Sequence, residues 1–228
     1  MKPGGSGLMT NENNFFENNI VYIAGEVSRE PKYSHEIYGE KFYIFNMDVE
    51  RLSKSHDTIP VLVSERLVTI EKLKNGAPLE VEGQFRSYNN TINGHSKLIL
   101  NVFAREARLV DSLEHINNRN SVFFDGFICK KPNYRTTPFG REITDMLLAV
   151  NRAYNKSDYI PCICWGRNAR FCEKLQVGMN LKLWGRIQSR FYEKKIDADT
   201  AVKKVAYEVS VTKLEATKDE EPLKVQNQ

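Results

Sequence analysis

The sequence repeats itself, and this limits the possible folds more than any single motif does. At an offset of 101 residues, Asn19, Val21 and Gly25 meet Asn120, Val122 and Gly126. Pro31, Tyr33 and Gly39 meet Pro132, Tyr134 and Gly140 in the same register. Asp57, Ile59, Pro60 and Arg66 meet Asp158, Ile160, Pro161 and Arg167. A one-residue insertion then shifts the offset to 102, where Gly76, Leu79, Gly83 and Ser87 meet Gly178, Leu181, Gly185 and Ser189. An ordered series that keeps its Gly and Pro punctuation means two copies of one domain. The expected organisation is a flexible leader over 1–18, a first domain over 19–114 and a linker over 115–119. A second domain over 120–215 and a flexible tail over 216–228 complete it.

Each copy reads as the same series of elements. A strand ("NIVYIAGEVS" or "SVFFDGFICK") precedes a loop that holds Pro and then Gly. Two more strands follow, the third being "DTIPVLV" or "DYIPCIC". A segment of helical spacing, "SERLVTIEKLKNG" or "WGRNARFCEKLQVG", ends at a glycine suited to a helix C-cap. Two last strands close the copy. Five strands with one helix between the third and fourth is the order of the OB-fold, a small, partly open barrel that binds oligonucleotides across one face. The predicted class is all-β with one short helix per repeat, as two tandem OB-folds.

The repeat also decides how the cysteines are read. Cys162 and Cys164 align with Val61 and Val63. Side chains alternate faces along a strand, so Ile160, Cys162 and Cys164 share the core face with Ile59, Val61 and Val63. A zinc site needs four ligands, usually with a C-x2-4-C pair, whereas here the spacing is C-x-C, with Cys129 and Cys172 each alone on another element. Core packing as small hydrophobes is expected, with no metal and no cofactor.

The opposite face of the third strand carries Tyr159, Pro161, Ile163 and Trp165, where the first copy has Thr58, Pro60, Leu62 and Ser64. On the fourth strand Lys182, Trp184, Arg186, Gln188, Arg190 and Tyr192 are expected to point outward. Glu80 and Glu82 stand in place of Lys182 and Trp184 in the first copy, which leaves Arg86 and Tyr88 as its weaker candidates. Residues 19–118 carry a net charge of −2 and residues 119–215 a net charge of +8. Cations interleaved with outward rings suit single-stranded nucleic acid, because cations neutralise phosphates and rings stack on unpaired bases.

Other classes find no support. His35, His56, His95 and His115 all lie in the first half, and no P-loop or paired-carboxylate motif accompanies them, so no enzyme is expected. No apolar run approaches the roughly 20 residues of a membrane span, and no signal-peptide core is present. Four cysteines in 228 residues suit a reducing cytoplasm.

The motifs "NSVFFDG", Pro132, "LAVNRAY", "DYIPCICWG" and "VGMNLKLWGRI" resemble those of bacterial single-stranded DNA-binding proteins. The resemblance runs from Asn19 to about Leu214, is sharper in the second copy, and implies a tandem relative close to the primosomal replication proteins. The family's long Gly/Gln-rich linker and its acidic tip with a terminal Pro-Phe have no counterpart in "KDEEPLKVQNQ", so no partner-recruiting role is carried over. The family's base-stacking aromatics fall on Tyr154, Tyr159, Trp165 and either Tyr192 or Phe191. Arg152, Arg186 and Arg190 are the phosphate candidates, with Lys182 and Lys156 behind them, and Trp184 is added from the outward stripe. The implied partner is single-stranded DNA in replication, recombination or repair, in a bacterial cytoplasm at the nucleoid. A homodimer holding four barrels is also implied, with Pro60 and Leu62 as its contact. Two other readings remain: a module whose first domain docks a replication protein, and an RNA binder.

Overall fold

The structure, a computed structural model, describes residues 17–92, 95–195 and 201–217. Most of the expected leader and tail lies outside the described residues. The first barrel is built from β1 (Asn19–Ile37), β2 (Glu40–Glu50), β3 (His56–Ser64), β4 (Pro78–Ile92) and β5 (His95–Leu109). The second uses β6 (Asn120–Ile128), a short β7 (Asn133–Thr136), β8 (Glu142–Arg152), β9 (Lys156–Trp165), β10 (Asn180–Lys195) and β11 (Ala201–Ala216). In each copy the first strand pairs with two neighbours, β1 with β2 and β4, β6 with β8 and β10. A parallel contact closes each barrel, β3 with β5 and β9 with β11. The chain is thus two tandem OB-folds.

The repeated glycines follow from this closure. A Cβ on Gly25 would lie 2.3 Å from the Asp48 carbonyl oxygen, and one on Gly126 2.6 Å from that of Ala149. Gly83 and Gly185 meet the Phe103 and Ser210 oxygens at 2.2 and 2.3 Å. No other residue allows the backbones so close.

Two local expectations are corrected. The Pro-containing segment of the first copy is not a loop: β1 runs on to Ile37, paired with β2, and Pro31 sits in the register shift between Arg29 and Lys32. A bulge tolerates a residue that has no N–H to donate. The helix expected over 64–76 is only a 3₁₀ turn at Ile70–Lys72, whereas the second copy has a true helix, α1 (Arg167–Cys172). The first copy has the β-branched run Val68-Thr69-Ile70 there, which resists a helix, while the second buries Ala169 and Cys172. Either way a leucine, Leu73 or Leu175, is delivered to the core.

The two barrels are not beads on a string. β1 pairs antiparallel with β6, and Val21 faces Val122, its own repeat equivalent, at the centre of a pseudo-twofold. A continuous sheet results, in the order β5-β4-β1-β6-β10-β11, and the buried apolar side chains of both copies form one connected cluster. Asn19 and Asn120 do the same work in each copy. The Asn19 amide donates to the Phe85 carbonyl at 3.0 Å and accepts from its N–H at 2.8 Å, and Asn120 binds Ile187 at 2.8 and 2.9 Å. Asn18, expected in the leader, is tied down too: its amide donates to the Asn151 carbonyl at 2.8 Å. In the expected linker, Arg119 is held to Glu50 at 2.9 Å and to the Leu113 carbonyl at 2.8 Å.

Candidate nucleic-acid interface

Alternation along β9 splits the cysteines from the aromatics. Cys162 and Cys164 pair with Met146 and Thr144 of β8 on the core side, and all four are buried. The Cys172 thiol donates to Cys164 Sγ at 3.4 Å. That bond and burial push the Cys164 thiol up, and burial does the same to Cys162. Thiols held protonated in an apolar core pack as hydrophobes rather than bind a metal. Changing Cys162→Val and Cys164→Val together, as the first copy already has, is therefore expected to cost under about 1.5 kcal/mol and to leave ligand binding unchanged. Thermal denaturation and metal analysis check this; bound zinc in stoichiometric amount would refute it.

On the outward side of β9, Tyr159 and Trp165 are exposed, Trp165 at 39%, while Ile163 between them is buried. Tyr154 stands in the turn from β8 to β9 with a left-handed φ of 61° and is 94% exposed. Lys156 lies beside it, also exposed. Phe191 and Tyr192 occupy the outer part of β10, where the hairpin with β11 runs past the barrel. They point to opposite sides of the strand, Phe191 more exposed than Tyr192. Tyr192 borders a groove that also touches Pro161, which lies on the Tyr159 side of β9, so the end of β10 and the outward face of β9 meet. Arg190, exposed, lies 3.6 Å from Glu208.

The remaining candidates are placed elsewhere. Trp184 is half-buried, packed on Phe123 with ring centroids 5.1 Å apart and covered by Lys213, whose Nζ is 4.3 Å from the ring centre. Lys182 pairs with Asp125 at 3.7 Å on the same side. Gln188 is buried, donating to Glu208 at 2.7 Å.

Arg152, Arg186 and Arg86 serve the joint between the barrels. Asp57 and Asp158, equivalent in the repeat, are fully buried, and each reaches across to the other copy. Asp57 accepts from the Ser189 N–H at 2.7 Å, from Arg51 Nε at 2.6 Å and from Arg186 at 3.3 Å. Asp158 accepts from the Ser87 N–H at 2.7 Å and lies 3.4 Å from Arg152 Nε, outside hydrogen-bond geometry. Ser87 and Ser189 complete the exchange, accepting from the Tyr159 N–H at 2.6 Å and the Thr58 N–H at 3.2 Å. Arg86 bonds Gln84 at 2.6 Å and stacks 4.9 Å above Phe103, and burial brings its pKa down to about 10. Burial also lowers that of Arg186. A guanidinium held by a buried carboxylate, as Arg186 is by Asp57, offers little free charge to a phosphate. Pro60 is corrected as well. It is buried on β3, a strand that meets β10 of the second barrel, so it offers no outer contact to a second subunit, and Leu62 on the same side of the strand is half-buried.

Tyr38 and Phe139 are functional candidates that the sequence reading missed. They are repeat equivalents, each stands just before a left-handed glycine at a hairpin tip, and both are fully exposed. The alignment of Gly39 with Gly140 carried the signal, one residue away. Tyr88, by contrast, is the exposed first-copy ring that the alternation anticipated.

Comparison with known proteins places the chain. The profile of the Single-strand binding protein family matches residues 119–217, the second copy. Single-stranded DNA-binding protein B of Bacillus subtilis (strain 168) is 33% identical over 84 residues, covering 32% of this chain and 72% of that protein. Single-stranded DNA-binding protein 1 of Staphylococcus aureus (strain COL) is 37% identical over 81 residues, covering 32% of this chain and 48% of that protein. The chain spans about half the length of most of the curated relatives it matches. The wild-type single-stranded DNA binding protein from Thermus aquaticus superposes with a TM-score of 0.69 at 19% identity, over 88% of this chain and 93% of that one, a likeness of fold across both barrels. The N-terminal domain of PriB protein from Thermoanaerobacter tencongensis is 43% identical over 42% of this chain and 99% of its own, with a TM-score of 0.37.

Proposed function

This chain belongs to the single-strand binding protein family, and from that premise we propose that it binds single-stranded DNA without catalysis, chiefly through its second barrel. The observation that carries the reading is the set of exposed rings Tyr154, Tyr159, Trp165 and Tyr192, with Phe191 on the other side of β10, on the copy whose net charge is +8. Each ring stacks on a base, a contact worth about 1–3 kcal/mol. Lys156 and Arg190 lie toward the phosphates, while Lys182, paired with Asp125 beside Trp184, lies away from the rings. Arg186 is taken up by Asp57 of the other barrel, Arg152 and Arg86 are engaged close to the same joint, and Trp184 packs on Phe123. Replication, recombination or repair in a bacterial cytoplasm is the setting the family implies. Titrating the full chain with oligo(dT) should quench its intrinsic fluorescence, with an affinity that drops steeply as salt rises. Quenching that ignores salt, or none, would refute the reading, and the same titration with oligo(rU) tests the RNA alternative.

Assembly belongs to the same reading. Ile20, Phe123 and Trp184 are opposite one another on β1, β6 and β10, so they form a row on one face of the continuous sheet, with exposed Phe127 beside it. An apolar row exposed at Ile20 and partly exposed at Phe123 and Trp184 favours a second copy. Light scattering at micromolar concentration should give twice the 26.3 kDa chain mass.

A further inference from the structure

We propose that the groove between the two barrels is a base-binding subsite, which passes a bound DNA strand from the second barrel to the first. The inference rests on the reading of the chain as a single-strand binder. The groove has a volume of about 360 Å³. One wall is β5 of the first barrel, Lys97 to Leu100, and the other is Pro161, Tyr192 and Val205 to Tyr207 of the second. That volume is at the lower end of what holds a small organic ligand, and one nucleobase fits within it.

Three observations select a base as the occupant. The first is continuity. Tyr192 belongs to the aromatic row and to the groove, and Pro161 follows Tyr159 on the same side of β9, so a strand lying on the row enters the groove without turning. The second is chemistry. The walls are aliphatic and aromatic, with exposed Lys97 at one margin and Lys204 opposite Tyr192 on the neighbouring strand. A flat apolar slot flanked by cations is what an unpaired base and its phosphate require. The third is rigidity. The Ser87 and Asp158 bonds that cross between β4 and β9 fix the two walls relative to each other, so the slot exists before the strand arrives. Preorganisation of this kind lowers the entropy lost on binding.

The groove also gives the first barrel a share in binding through Lys97 and Leu98, although it lacks the aromatic row. The test uses the full chain with Ala206→Trp, which fills the slot, and Lys97→Glu, which reverses the charge at its margin. Two oligo(dT) lengths are compared. One of about 8 nucleotides occupies a single barrel and one of about 30 reaches both. Each variant should bind the long oligomer about tenfold more weakly and the short one as the parent does, which also shows that the fold is intact. In the parent, an oligomer containing 5-iododeoxyuridine should photocrosslink to Tyr207, and Ala206→Trp should abolish this. Parent-like affinity of Lys97→Glu for the long oligomer, with crosslinks confined to residues 154–165, would overturn the subsite and leave the second-barrel reading standing. Failure of the parent to bind either length would overturn both.

Discussion

Replacing Tyr154 and Trp165 together with alanine is expected to weaken oligo(dT) binding by the full chain about a hundredfold, a loss of about 2.7 kcal/mol. Tyr154 is almost completely exposed and Trp165 is 39% exposed, so the substitution leaves the core intact and the melting temperature should stay within a few degrees. Tyr88→Ala in the first barrel removes an exposed ring of similar size and should change affinity less than about threefold. Equal losses from the two variants would end the asymmetry between the barrels. Cutting the chain into halves would be a poorer test. Each half would lose the β1–β6 pairing and uncover Asp57 or Asp158 together with its cross-barrel donor. Weak binding by a half could then report unfolding rather than a missing site.

The repeat makes the architecture legible in the sequence, because each aligned feature answers to a local constraint. The glycines mark close backbone crossings, where a Cβ would lie 2.2 to 2.6 Å from a carbonyl oxygen. Asn19 and Asn120 recur because each clamps the same backbone position of a neighbouring strand. Period-two alternation separated Cys162 and Cys164 from Tyr159 and Trp165, since β9 has one core face and one outer face. Alternation reports only inward or outward with respect to a single barrel, however. It has no means of seeing a second barrel, and its errors fall where the two meet. Pro60 and Gln188 alternate outward yet are buried, and Arg186 alternates outward yet is taken up by Asp57 of the other barrel. The conserved-looking Asp57 and Asp158 were visible in the alignment, yet nothing local to a strand says that a buried carboxylate reaches into the other copy. The helix of the first copy failed for a different reason: its spacing was right but its β-branched residues favour a tighter turn.

Those two carboxylates, equivalent by sequence, should respond unequally to neutralisation. Asp57 faces two guanidiniums, Arg51 and Arg186, and two donors from Ser189. Asp57→Asn leaves both cations without the buried anion that pairs them. The expected cost at pH 7 is about 3 kcal/mol, the low end for a broken buried pair, because the arginine side chains keep 30% and 34% of their surface exposed. Asp158 has one arginine, at 3.4 Å and poorly aligned, and burial raises its pKa above the ordinary carboxylate value. A raised carboxylate pKa means that the folded state holds its proton longer than the unfolded state does. The ionised form is therefore a burden on the fold, and this contribution to stability declines as pH rises above about 4, through the raised value. Asp158→Asn keeps an oxygen for the Ser87 N–H and removes the ionisation. It should lie within about 1 kcal/mol of the parent at pH 7 and flatten the decline above pH 4. Urea unfolding of both variants at pH 4.5 and pH 7 measures the difference. If Asp158→Asn proves as costly as Asp57→Asn, the Arg152 and Arg86 charges outweigh burial at that site, and the two halves of the joint are electrostatically alike.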